Sequence, residues 1–345
     1  MKIKFFEIGD GEQAVLTELL EPIIKESKAE VEFSTDKLGI ENVADAQGCE
    51  IISVFINSVI KQDVLDKLPQ LKFITTRSTG FDHIDTAYAK SKGVVTCNVP
   101  AYGSRTVAEF AFALMLGLSR KTFLAYHQVK ENHDFDFSHF KGFNLMGKTL
   151  GIVGTGRIGL NVAEMAINGF KMKVLATDPY PNQKKAQELG FAYLGLEELL
   201  PKCDIVSIHV PYMKSTHHLI NESNIRLFKP GALLVNTARG EIVKTEALLL
   251  GLKEKILAGV GLDVLEGERE LKEEWTRITG GNELTALHSD QIKTLLEDHM
   301  LIDYPQVAIT PHIAFFTDEA KREIMQTTTD NISGYLKQSL VNVTK

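Results

Sequence analysis

The chain has 345 residues, enough for two domains of ordinary size. With 44% hydrophobic and 24% charged residues it has a globular composition, and no segment is low-complexity. Its formal net charge is -7, with lysine and arginine scattered among the acids, so it carries no electrostatic footprint for nucleic acid or an anionic membrane.

Short apolar, β-branched runs alternate with helical patterns, which predicts parallel α/β sheets. A first series of strands is read at KIKFFEI, VEFST, EIISVF, LKFITT and GVVTCNV. A second follows at TLGIVG, KVLATD, DIVSIHV, ALLVNTA, GVGLDV and QVAIT. Two series imply two doubly wound domains. Between them, residues 107–129 form a long pattern with apolar residues on most faces, and a helix apolar all round is a buried one. The aromatic and acidic stretch that follows, KENHDFDFSHFKGFNLMGK, reads as an irregular surface loop. Residues 265–305 are longer than a usual strand-to-helix connection and hold the single tryptophan, Trp275, expected to anchor this insertion. The last helix, from about Thr317 to Lys337, has no natural place in the second sheet and is expected to return to the first domain.

The longest apolar stretch, FALMLGL, is too short to span a bilayer, and MKIKFFEIGD turns acidic too early for a signal peptide, so the cytoplasm is the expected compartment. Cys49, Cys97 and Cys203 are far apart and form no CxxC, which predicts buried small hydrophobes and neither disulfide nor metal.

GIVGTGRIG ends a strand and opens a helix, with Gly154, Gly156 and Gly159 in GxGxxG spacing. The first glycine permits the tight turn, the second lets backbone approach a pyrophosphate, and the third allows close helix packing. Arg157 and Ile158 start the helix, whose free N–H groups suit phosphate. Asp178 closes the next strand about twenty residues on, where a carboxylate accepts from ribose hydroxyls and repels a 2′-phosphate. The pattern predicts NAD rather than NADP.

Polar groups at the ends of the later strands are then candidates for the reaction. They are His209 in IHVP, Arg239 in NTARG, Asp263 and Glu268 in LDVLEGE, and His312 in TPHIAFF. Hydride transfer to a 2-oxo acid needs a cation for the carboxylate, an acid for the ketone oxygen and a group that tunes the acid. Arg239 offers a two-pronged clamp. An imidazole, whose ordinary pKa lies near neutrality, is the best proton donor and acceptor, which points to His312, and Glu268 is the carboxylate to pair with it.

The ordered set RSTGFDHID, NVPAYGSRTVAEF, GIVGTGRIG, SIHVP, NTARGEIV, GLDVLEGE and TPHIAFFTDEA resembles the NAD-dependent D-specific 2-hydroxyacid dehydrogenases, in their D-lactate dehydrogenase-like branch. The resemblance covers nearly the whole chain. It implies a flavodoxin-like substrate domain from residues 1–102 and 316–345, with a Rossmann cofactor domain inserted at 103–315. It also implies Arg239, Glu268 and His312 as the catalytic trio. Thr79 and Gly80 would present N–H groups to the substrate carboxylate, Tyr102 its hydroxyl, and Phe315 an aromatic wall. Asp263 and the Ala238 carbonyl would hold the nicotinamide carboxamide, Thr237 would contact the cofactor, and His209, Val210 and Pro211 would line the adenosine side. A homodimer reducing pyruvate to D-lactate is implied. Glyoxylate or bulkier 2-oxo acids such as 2-oxoisocaproate and phenylpyruvate, and an NADH-sensing scaffold, are the alternatives.

Overall fold

Buried parallel strands need no alternation of polar and apolar residues, because helices cover both faces of the sheet. The strands IISV at Ile51–Val54 and FITT at Phe73–Thr76 follow this rule and are buried at every position. The computed structural model describes residues 1–100, 102–268, 270, 271, 274 and 289–344. Its chain divides into two units, one from Met1–Gly103 with Phe316–Lys345, the other from Ser104–Phe315.

The first unit has strands β1 (Lys2–Phe5), β2 (Glu30–Phe33), β3 (Ile51–Val54), β4 (Phe73–Thr76) and β5 (Val95–Cys97). They form one parallel sheet in the order β2-β1-β3-β4-β5, the flavodoxin-like order. Edge strand β2 carries Glu32, paired with Lys2 at 2.7 Å and Lys4 at 3.4 Å, which makes that edge unsuited to further pairing. The helix Asp318–Leu336, capped by the Thr317 side chain, packs in this unit. Its buried Asn331 donates to the Asn98 carbonyl at 2.9 Å, and its Tyr335 stacks on Phe73 with centroids 4.5 Å apart.

The second unit has β6 (Thr149–Val153), β7 (Lys173–Thr177), β8 (Ala192–Tyr193), β9 (Ile205–Ile208), β10 (Ala232–Asn236), β11 (Leu257–Leu262) and β12 (Val307–Ile309). All are parallel, in the order β12-β11-β10-β9-β6-β7-β8, so the winding reverses between β6 and β9. Ligands bind at such a reversal, beyond the carboxyl ends of the strands.

Residues 107–129 are not one buried helix. Ser104–Ser119 is buried through Ala108, Ala111, Phe112, Leu114 and Met115, but the chain breaks at Lys121, whose φ is 53°, and restarts as Thr122–Asn132. That second helix has no buried residue and exposes Phe123, Tyr126 and Val129. Periodicity alone did not separate the two, because apolar residues continue past the break at Phe123, Leu124, Tyr126 and Val129. Trp275 lies outside the described residues, with the rest of 275–288 and residues 269, 272 and 273 of the 265–305 insertion.

Candidate active site

The glycine loop sits at the winding reversal. Gly154 follows β6 with φ at 95°, and a Cβ there would stand 2.8 Å from the Val210 nitrogen, so only glycine fits both the turn and its neighbour. A Cβ on Gly159 would meet the Gly154 carbonyl oxygen at 2.0 Å, whereas one on Gly156 would meet nothing within 4 Å. The middle glycine thus faces open space that a phosphate can approach, at the N-terminus of the Arg157–Glu164 helix. Asp178 braces the loop. Its Oδ2 accepts from the Thr155 N–H at 2.6 Å and the Thr155 hydroxyl at 2.9 Å, and its Oδ1 from the Tyr180 N–H at 2.8 Å.

Two buried polar atoms near these strand ends have no partner among the described residues: His209 Nδ1 and Thr237 Oγ1. Burial drives the His209 pKa down to about 3, so this imidazole is neutral, with Nε2 bonded to the Ser207 hydroxyl at 2.8 Å. Orphaned polar groups beside a cradle of glycines fit a dinucleotide that supplies their missing bonds. Val210 is buried and Pro211 follows it in the same loop.

Arg239 stands at the end of a tight turn after β10. Buried Asn236 holds that turn from both sides, accepting from the Ala238 N–H at 3.0 Å and donating to the Arg239 carbonyl at 2.8 Å. The Arg239 guanidinium donates to the Ala238 carbonyl at 2.7 Å. Next to it Gly240 packs so tightly that a Cβ would lie 2.0 Å from the Leu265 carbonyl, joining this turn to the segment that carries Glu268.

His312 and Glu268 meet across 44 residues of chain: Nδ1 lies 3.0 Å from Oε1 and 3.1 Å from Oε2. Both side chains are partly exposed, so the pair is open to a ligand. His312 has φ at 58°, an uncommon backbone state for a residue with a Cβ. Asp263 holds it there. Its buried carboxylate accepts the N–H groups of Ile313 at 2.9 Å and Ala314 at 2.8 Å, and the Thr310 hydroxyl. Burial pushes the Asp263 pKa up, and those three bonds pull it back. The sequence reading gave Asp263 only a cofactor contact and missed this task, as it missed Asn236. The Phe315 ring stands edge-on to His312, centroids 6.5 Å apart.

Thr79, Gly80 and Tyr102 belong to the first unit. After β4, the Ser78 hydroxyl donates to the Gly80 carbonyl at 2.7 Å, Asn98 donates to the Thr79 carbonyl at 2.8 Å, and the Thr79 hydroxyl to the Val99 carbonyl at 2.9 Å. Among the described residues this turn is held through its carbonyls and hydroxyls. Behind it Arg77 is buried, with its guanidinium bonded to Ser53 and to the carbonyls of Phe6 and Glu7. The three cysteines are buried and free, and no metal-binding cluster occurs among the described residues.

A doubly wound sheet with a dinucleotide loop at its reversal, joined to a flavodoxin-like unit, defines the class of nicotinamide-dependent dehydrogenases. Residues 112–314 match the family described as D-isomer specific 2-hydroxyacid dehydrogenase, NAD binding domain. The chain is 38% identical over 315 residues to D-lactate dehydrogenase kk1H of Curvularia clavata, which covers 89% of this chain and 84% of that protein. Among solved structures, the D-lactate dehydrogenase of Aquifex aeolicus, complexed with NAD and lactic acid, superposes with TM-score 0.82 at 35% identity, covering 98% of this chain and 96% of that one. A D-2-hydroxyisocaproate dehydrogenase gives TM-score 0.80 at 29% identity, covering 99% of both chains. The protein therefore belongs to the D-isomer specific 2-hydroxyacid dehydrogenases, and it is an NAD-dependent oxidoreductase.

Proposed function

We propose that the protein is a D-lactate dehydrogenase that interconverts pyruvate and D-lactate, with residues 1–102 and 316–345 as substrate domain and 103–315 as cofactor domain. The observation that carries the mechanism is the contact of His312 Nδ1 with both Glu268 oxygens at 3.0 and 3.1 Å. An imidazole so held keeps its Nδ1 proton toward the carboxylate and turns Nε2 to the substrate.

When bound, NADH supplies the hydride that C2 of the 2-oxo acid accepts. The Arg239 guanidinium fixes the substrate carboxylate, together with the N–H groups of Thr79 and Gly80. Protonated His312 delivers the Nε2 proton to the ketone oxygen, and in the reverse direction neutral His312 takes the hydroxyl proton. Tyr102 reaches the substrate and Phe315 walls the pocket. Gly154, Gly156, Arg157, Ile158 and Gly159 receive the phosphates, and Asp178 the ribose. His209, Val210 and Pro211 line the adenosine side; Thr237, Ala238 and Asp263 face the nicotinamide. Because three of the four Asp263 lone-pair directions are used internally, that contact is limited to one bond.

The exposed aromatics of Thr122–Asn132, with Phe135 and Phe137 beyond them, support a homodimer as the working form. A cytoplasmic location is proposed with it; no helix among the described residues is long and apolar enough to cross a membrane. The likeness to D-2-hydroxyisocaproate dehydrogenase favours a second reading, a broader enzyme acting on bulkier 2-oxo acids. NADH oxidation over pyruvate, glyoxylate, 2-oxoisocaproate and phenylpyruvate, with chiral analysis of the product, tests both. Highest kcat/KM on pyruvate with D-lactate as product supports the first reading, and preference for the bulky acids replaces it by the second.

A further inference from the structure

Asp298 lies on the Ser289–Asp303 helix with its side chain fully buried. Among the described residues no cation contacts it, and a buried carboxylate without a cation is costly. Its polar contacts therefore call for an explanation. Oδ2 accepts the Gly267 N–H at 2.9 Å, and Oδ1 accepts the Thr245 hydroxyl at 3.1 Å.

Gly267 immediately precedes Glu268, and a Cβ on it would stand 2.7 Å from Asp298 Oδ2. The neighbouring Glu266 is held at the same time. Its Oε2 accepts from the Thr245 N–H at 3.0 Å and hydroxyl at 3.1 Å, and its Oε1 faces His218 Nε2 at 2.6 Å. Thr245 has one hydroxyl proton for two carboxylates, so Asp298, Thr245 and Glu266 form one connected network. On the other side, the Leu265 backbone rests on Gly240. The peptide that presents Glu268 to His312 is therefore bonded or packed on each side, and among these partners only Asp298 lies C-terminal to it in the chain.

We propose that Asp298 is a positioning residue for the reaction: by holding the Gly267 N–H it fixes the place of Glu268 against His312. This rests on the role given to Glu268 above. Asp298 touches neither His312 nor a reacting atom, so it acts through Glu268 alone.

The test is a double-mutant cycle on the full chain, assayed with NADH and pyruvate. Asp298→Ala is expected to lower kcat about tenfold or more, the scale of a misplaced catalytic group, with KM for NADH little changed. Asp298→Asn should restore most of kcat, because its carbonyl oxygen can take the Gly267 N–H while its amide donates to Thr245. In a Glu268→Gln background, Asp298→Ala should cost little more. If Asp298→Ala does not fold, Asp298→Leu, which fills the same space without an acceptor, takes its place. Wild-type kcat in Asp298→Ala overturns the proposal, as does a loss that multiplies fully on top of Glu268→Gln. Undiminished turnover in Glu268→Gln alone overturns the underlying reading of Glu268 instead.

Discussion

The Asp263 carboxylate receives the N–H groups of Ile313 and Ala314, the two residues that follow His312, at 2.9 and 2.8 Å. Asp263 ends the run after β11, and His312 belongs to the loop after β12. One buried carboxylate thereby fixes the backbone that aims the imidazole, including its φ of 58°. Asp263→Asn sets an amide N–H₂ against at least one of these donors. An unpaired buried donor costs about 1–3 kcal/mol, so a lower Tm and a fall in kcat are expected together. Calorimetry with steady-state kinetics checks this, and a variant with unchanged kcat would show that the His312 loop holds its own shape.

Arg239 is rigid at its backbone, with Asn236 bonded to both sides of its turn. The side chain can therefore offer a fixed two-pronged donor, which lysine cannot copy. Arg239→Lys is expected to cut kcat/KM for pyruvate about 100-fold, since charge-assisted bonds are worth about 1.5–3 kcal/mol each. Arg239→Ala should lose more, in KM and kcat together, while NADH binding measured by fluorescence stays close to wild type. Pyruvate kinetics left unchanged in Arg239→Ala would remove the residue from the site.

Asp178 has two tasks in one side chain, bracing Thr155 in the glycine loop and presenting a negative charge at the end of β7. Asp178→Ala should weaken NADH binding through both. For NADPH the loss of bracing is offset by the loss of repulsion toward the 2′-phosphate. The ratio of kcat/KM for NADH over NADPH should therefore fall by about tenfold or more, the scale of a charge-assisted bond. An unchanged ratio would mean that Asp178 only braces the loop.

Much of this site was legible because parallel sheets leave their reactive groups at strand ends, and strand ends are marked by the passage from apolar runs to polar residues. Arg239, Asp263 and the glycine loop all follow such runs. The strand Ala192–Tyr193 was not readable, since two residues carry no period. The break at Lys121 was hidden for a different reason: apolar residues continue past it at Phe123, Leu124, Tyr126 and Val129, and tertiary contact shows which helix is buried. Least visible were Asn236 and Asp298, which act on backbone groups. The bond from Asp298 to Gly267 spans 31 residues, and no local pattern specifies which N–H a distant carboxylate will meet.

Asp298 also carries a pH signature. Burial pushes its pKa up to about 6, against about 3.9 in an unfolded chain. Between those values the folded protein binds a proton that the unfolded chain does not, so this group favours folding below about pH 4 and loses that contribution as pH rises through 6. His209 works in the opposite direction. It stays neutral when folded down to about pH 3, while the unfolded chain protonates below about 6.5, so its contribution is lost as pH falls. The two effects oppose each other between pH 4 and 6 and partly cancel in the wild type. Asp298→Asn removes the first and keeps the hydrogen bonds, so its stability should fall more steeply than that of the wild type from pH 6 to 4, by about 2–3 kcal/mol overall. Urea unfolding of both proteins across that range measures the difference, and parallel curves would mean that Asp298 is ionised in the folded protein throughout.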